Sequence, residues 1–395
     1  MDIFQKCYEP SLAKELKAAG VDPYFHALQS RQDVEVMMEG KRRIMLGSNN
    51  YLGLTTAPDV VEAGIHALEQ YGTGCSGSRF LNGTLQMHLE LEEELGKFLR
   101  KPGIVTFGTG FQSNVGIISA LVGRHDYVIC DRENHASIYA GCQMSYGKML
   151  RYRHSDMAEL EKCLQKVPET AGALIVTDGV FSMDGNVAPM DKICDLAEKY
   201  DALVMVDESH SAGVVGATGH GVSELCKTYG RVDIYTGTLG KAFGGSLGGF
   251  TTGKKEIIDM LRQSSRPYLF SNSLAPGIIG ASLEVFKMLK ESNEIHDKLV
   301  ENVNYFREKM LAAGFDIKPT QSAICAVMLY DAPLSQRYAN RLLEEGIYVT
   351  GFYYPVVPKG EARIRVQLSA AHTKEQLDRA IAAFIKVGKE LGVLK

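Results

Sequence analysis

Short apolar runs and amphipathic segments alternate through the middle of the chain. Residues 127–130, 173–177 and 203–206 predict buried strands. Residues 157–165 and 190–200 carry apolar side chains at helical spacing and predict helices between those strands. Because strands that alternate with helices build parallel sheets, this pattern predicts an α/β fold.

The pattern also divides the chain into regions. Residues 1–45 predict an N-terminal arm, a helical segment followed by a short polar hairpin. Residues 46–290 predict a large domain with helices at 58–71, from near residue 84 and at about 275–290, a further strand at 249–252 and a turn at 266–273. Residues 291–395 predict a smaller domain with strands at 323–329, 347–349 and 363–368 and a last helix at 373–391.

Polar, titratable side chains follow four of the predicted strands. In chain order they are Asp131, Asn134 and His135; Asp178, Ser182 and Asp184; Asp207 and His210; and, after a run at 234–236, Thr238 and Lys241. Ligands of parallel sheets bind beyond the carboxyl ends of the strands. We therefore expect these side chains to meet at one edge of the sheet.

Lys241 lies among small residues, in a stretch that reads TGTLGKAFGG from residue 236 to residue 245. A lysine whose pKa is lowered by its surroundings can form a Schiff base with a carbonyl group. Glycines let the backbone approach a flat ring or a phosphate closely. Taken alone, the stretch is also compatible with a loop lysine in a glycine-rich turn.

If Lys241 holds an aldehyde cofactor as an imine, pyridoxal phosphate (PLP) is the electron sink that suits this position. Asp207 would then face the pyridine nitrogen, and His210 would reach the ring hydroxyl. His135 would stack on the ring.

The phosphate and the substrate need their own partners. Thr109, Gly110 and Phe111 precede a helical run and suit a phosphate, with Thr238 and Ser271 as further donors. Arg363 and Arg365 share one face of a predicted strand, and Arg365 suits a substrate carboxylate. The alternative for these arginines is a solvated edge strand.

Two other motifs indicate other classes of protein. Residues 72–77 fit the dinucleotide pattern G-x-G-x-x-G, but a helix precedes them where that motif needs a strand, so we reject it. Residues 244–248 fit the G-x-S-x-G elbow of serine hydrolases, for which His372 is a conceivable base, but a strand follows where a helix is required. A serine hydrolase and a non-catalytic binding protein of this fold are kept as alternatives.

Composition limits the partners. The 395 residues carry a net charge of −4 without a basic block, so we expect no nucleic acid partner. The 8 cysteines lack metal-ligand spacing, so we expect reduced thiols, no metal and a cytoplasmic location. No apolar run approaches the roughly 20 residues of a membrane span, and the charged N-terminus predicts neither a signal peptide nor a transit peptide.

Six segments together resemble the α-oxoamine synthases, PLP enzymes of fold-type I that condense an amino acid with an acyl-CoA. They are SNNYLGL, DRENHASI, TDGVFSMDG, VMVDESHSAGVVG, GTLGKAFGG and RIRVQLSAAHT. The resemblance runs nearly end to end. It implies an aspartate aminotransferase-like fold, with a mostly parallel seven-stranded sheet in the large PLP-binding domain, a smaller α+β C-terminal domain, and a homodimer with shared active sites.

The same resemblance implies roles for individual residues. Lys241 would hold the cofactor and remove the α-proton of the amino acid, and Asp207 would pair with the pyridine nitrogen. The remaining roles are ring stacking by His135, contact with the ring hydroxyl by His210 and Ser182, and phosphate binding by Thr109, Gly110, Phe111 and Thr238, with Ser271 supplied by the partner subunit. Asn49 and Arg365 would bind the amino-acid carboxylate.

Two branches of the family compete for the substrates. The segments RPYLFSNSLAP and EGIYVTGFYYPVVPKGEARIR resemble the branch that joins glycine to acetyl-CoA and releases 2-amino-3-oxobutanoate and CoA, a reaction of threonine catabolism. Residues 71–84, YGTGCSGSRFLNGT, resemble the serine palmitoyltransferase branch. We expect glycine and acetyl-CoA, with serine palmitoyltransferase and 8-amino-7-oxononanoate synthase as alternatives.

Overall fold

A computed structural model describes residues 2–10, 12–18 and 24–395. The helices of this part of the chain are α1 Gln5–Tyr8, α2 Leu12–Ala18, α3 Pro58–Tyr71, α4 Gln86–Leu99, α5 Gly110–Leu121, α6 Ala136–Met144, α7 Met157–Leu164, α8 Met190–Lys199, α9 Val222–Leu225, α10 Lys255–Ser264, α11 Arg266–Phe270, α12 Pro276–Glu291, α13 Glu294–Ala312, α14 Ala332–Glu344 and α15 Lys374–Glu390. The strands are β1 Glu35–Met38, β2 Lys41–Met45, β3 Gly103–Phe107, β4 Tyr127–Asp131, β5 Lys148–Tyr152, β6 Ala173–Asp178, β7 Leu203–Asp207, β8 Ile234–Thr238, β9 Gly249–Gly253, β10 Ile324–Tyr330, β11 Ile347–Tyr348, β12 Thr350–Phe352 and β13 Ala362–Gln367.

The large domain is built on a seven-stranded sheet in the order β3-β9-β8-β7-β6-β4-β5. Strands β8, β7, β6, β4 and β5 run parallel, and β9 is antiparallel to both of its neighbours. The mostly parallel sheet predicted for this domain is therefore confirmed. The apolar runs do not predict β5, because this edge strand mixes polar and apolar residues and its side chains are mostly partly or fully exposed.

The carboxyl ends of the parallel strands carry polar residues and lie at the same edge of the sheet. Register pairs Asp178 with Asp207, and Asp207 with Thr236 on the next strand. Helix α5 begins at the same edge, where the Thr109 hydroxyl accepts a hydrogen bond from the Gln112 N–H at 3.1 Å. The sheet thus collects the residues that the sequence placed at strand ends.

The smaller domain contains a separate antiparallel sheet in the order β10-β13-β12, with helices α13, α14 and α15 around it. Strand β13 is the central strand of this sheet, so the alternative of a solvated edge strand for Arg363 and Arg365 is wrong. The N-terminal hairpin β1–β2 pairs through β2 with β11 in parallel register. The arm is thus joined to the small domain, and the boundaries at 45 and 290 stay a prediction.

Three local predictions can be compared with the structure. Residues 266–273 do not form only a turn, because α11 occupies Arg266–Phe270 with Pro267 in its first turn, where proline is tolerated. That prediction was wrong. The dinucleotide pattern at 72–77 follows helix α3, as expected, and the G-x-S-x-G pattern at 244–248 leads into strand β9.

The described residues include no helix that is both long enough and apolar enough to span a bilayer.

A buried ion pair holds the loop at 72–85 against helix α4 and strand β3. Arg79 donates two hydrogen bonds to the carboxylate of Glu92 on α4, at 2.7 and 3.2 Å, and a third to the Thr106 hydroxyl on β3 at 3.0 Å. Both charged side chains are buried. A bidentate pair of this kind fixes the position of the loop and also contributes energy.

We expect the substitution Arg79→Met to lower the free energy of unfolding by about 3–5 kcal/mol, because it leaves the Glu92 carboxylate buried with only part of its compensation. Urea unfolding followed by circular dichroism measures the change. The control is Lys287→Met, which removes an exposed ion pair with Glu284 and should leave the unfolding curve unchanged. Equal curves for wild type and Arg79→Met would contradict the prediction.

Candidate active site

A cavity of about 220 Å³ lies at the carboxyl edge of the parallel strands. Its lining consists of Thr109, Gly110, Phe111, His135, Ser137, Asp178, Ser182, Asp207, Ser209, His210, Thr238 and Lys241. Nine of these are residues that the sequence predicts to hold a cofactor. The tenth predicted cofactor residue, Ser271, and the two predicted substrate residues, Asn49 and Arg365, lie outside the lining.

The amino group of Lys241 lies 2.8 Å from Nε2 of His210. Burial lowers the pKa of Lys241 to about 8, against the opposing pull of the carboxyl groups of Asp207 and Asp178. A substantial fraction of the amine is therefore uncharged near neutral pH. An uncharged, buried amine is the form that attacks a carbonyl group.

His210 connects Lys241 to the loop before η1, the short 3₁₀ helix Leu54–Thr56. Its Nδ1 lies 2.7 Å from the hydroxyl of Tyr51, which is fully buried. Burial, together with the nearby charge of Lys241, holds the pKa of His210 well below its ordinary value. The imidazole is therefore neutral and can accept a hydrogen bond from the lysine.

Asp207 ends strand β7 with both carboxylate oxygens hydrogen-bonded. Oδ2 accepts from the side-chain amide of Asn114 at 2.6 Å, and Oδ1 accepts from the backbone N–H of Ser209 at 2.9 Å. The neighbouring Asp178 is buried, and its burial and the charge of Asp207 raise its pKa well above the ordinary value. The surroundings of Asp178 therefore favour its protonated form.

His135 caps helix α6 and faces the cavity. Its Nδ1 accepts from the Ser137 backbone N–H at 3.2 Å and lies 2.7 Å from the Ser137 hydroxyl. Its own backbone N–H donates to Asp178 at 2.8 Å. Burial lowers the pKa of His135, the charge of Asp207 opposes this and that of Lys241 adds to it, so the neutral form of the ring is favoured.

Thr109, Gly110 and Phe111 form a narrow anion cradle at the start of helix α5. The Thr238 hydroxyl donates to the Gly248 carbonyl at 2.9 Å and accepts from the Gly240 N–H at 3.0 Å. A Cβ on Gly110 would lie 3.0 Å from the Thr238 side chain, and a Cβ on Gly249 would clash with the Thr109 backbone. The cradle therefore requires glycine at both positions, and the helix start offers N–H groups to an anion.

Ser271 lies beside this cradle in the same chain, where its hydroxyl accepts from the Gln112 side chain at 3.5 Å. A contribution of Ser271 from a partner subunit stays a prediction.

Arg365 and Asn49 lie on the small-domain side of the cavity. Arg365 donates to the backbone carbonyl of Ser182 at 3.2 Å and its guanidinium lies 4.8 Å from the centre of the Phe352 ring. Burial lowers its pKa. The side-chain oxygen of Asn49 accepts a short hydrogen bond from Gln367. These contacts leave most of the Arg365 donors available for a small anion.

The neighbouring Arg363 has a different environment. It is buried against the carboxylates of Asp184 and Glu361. Of the two arginines on this face, only Arg365 is not paired with a carboxylate among the described residues.

The sequence does not predict three residues of the site. Asn114 and Ser137 lie on helices, and their hydrogen bonds to Asp207 and His135 depend on how those helices pack on the sheet. No spacing in the sequence signals such contacts. Tyr51 stands out in the sequence only as the aromatic residue of SNNYLGL. The described residues contain no cluster of three or more metal-ligating side chains.

Comparison with known proteins identifies the class to which this fold and site belong. The chain matches the family "Aminotransferase class I and II" over residues 41–384 and belongs to that family.

Its relatives within the class are α-oxoamine synthases. The 2-amino-3-ketobutyrate coenzyme A ligase of Escherichia coli K12 is 48% identical over 390 residues, which cover 97% of this chain and 98% of that protein. The 8-amino-7-oxononanoate synthase of Thermosipho melanesiensis is 45% identical over 380 residues, covering 96% and 97%. A solved structure of Serine Palmitoyltransferase from S. paucimobilis with a bound PLP-myriocin aldimine has a TM-score of 0.96 at 36% identity and covers 100% of both chains. The predicted fold class and family are confirmed.

The pKa of Lys241 can be measured by reductive methylation with formaldehyde and a borohydride, followed by mass spectrometry of its peptide. Because only the free amine reacts, labelling should rise with pH and reach half its maximum near pH 8. Lys97 is the control, because its glutamate partners raise its pKa and delay its labelling to higher pH. A Lys241 midpoint equal to or above that of Lys97 would contradict the assignment.

Proposed function

We propose that this protein is a PLP-dependent acyltransferase that condenses glycine with acetyl-CoA to give 2-amino-3-oxobutanoate and CoA. This is the reaction of glycine C-acetyltransferase, also called 2-amino-3-ketobutyrate CoA ligase. The observation that carries the proposal is the buried Lys241 amine, with its pKa lowered to about 8, in a cavity that also holds the Asp207 carboxylate.

The donor set fits PLP. The start of helix α5 suits its phosphate, because Thr109, Gly110 and Thr238 line the cavity there and the helix start offers N–H groups. Asp207 suits the pyridine nitrogen, His210 and Ser182 the ring hydroxyl, and His135 the ring face. PLP, when bound, supplies an electron sink that stabilises negative charge on the carbon next to the amino group.

The residues of the chain would then share the work on the two substrates. Lys241 would remove the α-proton of glycine, for which a pKa near the working pH is favourable. The α-carbon forms a bond to the acetyl carbonyl carbon, and the carbon–sulfur bond breaks to release CoA. Neutral His210, 2.8 Å from the lysine, would accept a hydrogen bond from the ammonium form that results.

The glycine carboxylate would be held on the small-domain side. Arg365 lies beside the cavity and is buried, and its fork of donors matches a carboxylate. Asn49 would add a second contact. Binding at this point would orient the α-carbon with respect to Lys241.

The choice of glycine and acetyl-CoA is supported by the 48% identity to the 2-amino-3-ketobutyrate coenzyme A ligase of Escherichia coli. The product fits threonine catabolism, in which the reverse direction, coupled to a threonine dehydrogenase, would cleave 2-amino-3-oxobutanoate. The second candidate is another α-oxoamine synthase, favoured by the structural likeness to Serine Palmitoyltransferase.

A serine hydrolase receives no support from the site. Ser246 is exposed on a loop that leads into strand β9. His372, its conceivable base, accepts a hydrogen bond from the Ser369 N–H at 2.9 Å and has its Nε2 3.0 Å from the Met45 carbonyl. Both ring nitrogens are therefore engaged by the backbone.

A homodimer and a cytoplasmic location belong to the same proposal. Large apolar side chains are exposed near the cavity mouth and on the loop tied by Arg79, among them Phe80, Leu81, Phe111 and Phe270. Exposed apolar patches of this kind suit a subunit interface. All 8 cysteines are free, which suits a reducing compartment.

Release of the CoA thiol by the purified protein tests the reaction. We expect a visible cofactor band and fastest release from glycine with acetyl-CoA, compared with serine plus palmitoyl-CoA and with alanine or glycine plus longer or dicarboxylic acyl-CoAs. Lys241→Ala should abolish turnover, because it removes the only amine in the cavity lining. Faster release from serine and palmitoyl-CoA would favour the second candidate. Absence of both band and release would overturn the PLP assignment.

The substitution Arg365→Ala should raise the KM for glycine about tenfold or more, because a charge-assisted hydrogen bond to the carboxylate is lost. The KM for acetyl-CoA should change little. The control is Lys359→Ala, an exposed small-domain cation whose ammonium lies 5.0 Å from the centre of the Tyr354 ring. An unchanged glycine KM in Arg365→Ala would place the carboxylate elsewhere.

A further inference from the structure

Asn114 links the two ends of the proposed cofactor site through one helix. It lies on helix α5, one turn after the cradle at Thr109, Gly110 and Phe111, and only 1% of it is exposed. Its side chain points toward the sheet, where it reaches Asp207. A rigid helix therefore sets the position of the anion cradle and of an amide at the carboxylate together.

The side-chain amide of Asn114 uses both its nitrogen and its oxygen in hydrogen bonds, and these bonds fix its orientation. Its Nδ2 donates to Asp207 Oδ2 at 2.6 Å and to the Ser137 hydroxyl at 2.8 Å. Its Oδ1 accepts from the hydroxyl of Thr236 at 2.7 Å. An ionised carboxylate only accepts hydrogen bonds, so the NH₂ group must face Asp207 and the oxygen must face Thr236.

These contacts favour one of two adjacent carboxyl groups for ionisation. Asp207 receives two N–H donors, one from Asn114 and one from the backbone of Ser209. Asp178, its register partner on the neighbouring strand β6, receives one N–H donor, from the backbone of His135. Donors to the charged form stabilise that form, and two neighbouring buried carboxylates repel each other. The amide thus selects Asp207 as the carboxylate.

The second N–H of Asn114 acts on His135 through Ser137. Because the Ser137 oxygen accepts from Asn114, its own proton is free to point at Nδ1 of His135, 2.7 Å away. The Ser137 backbone N–H also donates to Nδ1. Nδ1 is thus an acceptor, and the single proton of the neutral ring lies on Nε2. Within the described residues, Nε2 has no protein partner.

We propose that Asn114 is a positioning residue that orients the Asp207 carboxylate toward the pyridine nitrogen of PLP and, through Ser137, keeps the ring proton of His135 on Nε2. This inference rests on the proposed function, since it assigns Asp207 to the cofactor. Asn114 itself touches neither PLP nor substrate in this role. It acts through two side chains that do.

Two substitutions remove the amide donor. Asn114→Asp keeps the shape and replaces the NH₂ group by an oxygen, and Asn114→Leu removes all polarity. Both should raise the Kd of PLP for the apoenzyme about tenfold or more, because a hydrogen bond to a charged group is lost. Visible absorption titration measures the Kd. Both should lower kcat more than they raise the KM for glycine, since Arg365 is untouched.

A spectroscopic measurement separates positioning from loss of stability. With PLP labelled with ¹⁵N in its ring, the nitrogen chemical shift of the bound cofactor should move toward the unprotonated value in both Asn114 variants. Ser137→Ala breaks only the branch to His135, so it should keep the wild-type nitrogen shift and lower kcat/KM for glycine. A Ser137→Ala variant with a displaced nitrogen shift would contradict the separation of the two branches.

The matched control is Asn302→Leu. Asn302 is also buried, and its amide donates to the carbonyls of Ser369 and His372, away from the cavity. This variant should lose stability while keeping the wild-type ¹⁵N shift. If Asn114→Leu fails to fold, Asn114→Asp and Thr236→Val, which removes the donor to the Asn114 oxygen, provide the same test with little change of volume.

The outcomes distinguish the inference from the proposed function. A wild-type protein without a cofactor band and without CoA release from glycine and acetyl-CoA would overturn the proposed function. A normal wild type, together with Asn114 variants that keep its ¹⁵N shift and its Kd for PLP, would overturn only the role of Asn114. A displaced shift in the Asn114 variants and an unchanged shift in Asn302→Leu would support it.

Discussion

Removal of the Lys241 amino group from water is the constraint on which the site depends. Burial alone would drive the amine to its neutral form, and the carboxyl groups of Asp207 and Asp178 oppose this. Burial and the neighbouring carboxyl group of Asp207 also raise the pKa of Asp178 well above its ordinary value. The result is a lysine that changes its charge near pH 8 instead of near its ordinary pKa. Such a group both attacks a carbonyl and takes up a proton without a large free-energy cost.

The fold meets this constraint by bringing distant segments together. Strand β7 ends in Asp207, and Lys241 follows the end of strand β8, so neighbouring parallel strands supply the carboxylate and the amine. Helix α5 supplies the anion cradle at its start and the amide of Asn114 one turn later. Strand β13 of the small domain supplies Arg365. The proposed cofactor site would therefore lie in the large domain, whereas the proposed carboxylate contact of the substrate, Arg365, would come from the small domain.

The sequence predicts the parts of this arrangement that are local. Apolar runs mark β4, β6, β7 and β8, and because parallel strands present their carboxyl ends at one edge, those runs alone group His135, Asp207, His210 and Lys241. The sequence does not predict Asn114 or Ser137, because their contacts arise where helices pack on the sheet. The strand pattern also does not reveal why Arg363 is unavailable, because its ion pairs with Asp184 and Glu361 form only in the folded chain.

The difference between local features and contacts that arise from packing also explains why the chemistry is easier to assign than the substrate. The amine, the carboxylate and the two imidazoles suit any condensation of an amino acid with an acyl-CoA, whatever the length of the acyl chain. Discrimination by one small group in a pocket is worth only about 1–3 kcal/mol, so it depends on the shape of the walls. The loop held by Arg79 and Glu92 combines a buried anchor with the exposed side chains of Phe80 and Leu81. No residue of this loop belongs to the cavity lining, so changes at its exposed tip leave the amine, the carboxylate and the imidazoles in place.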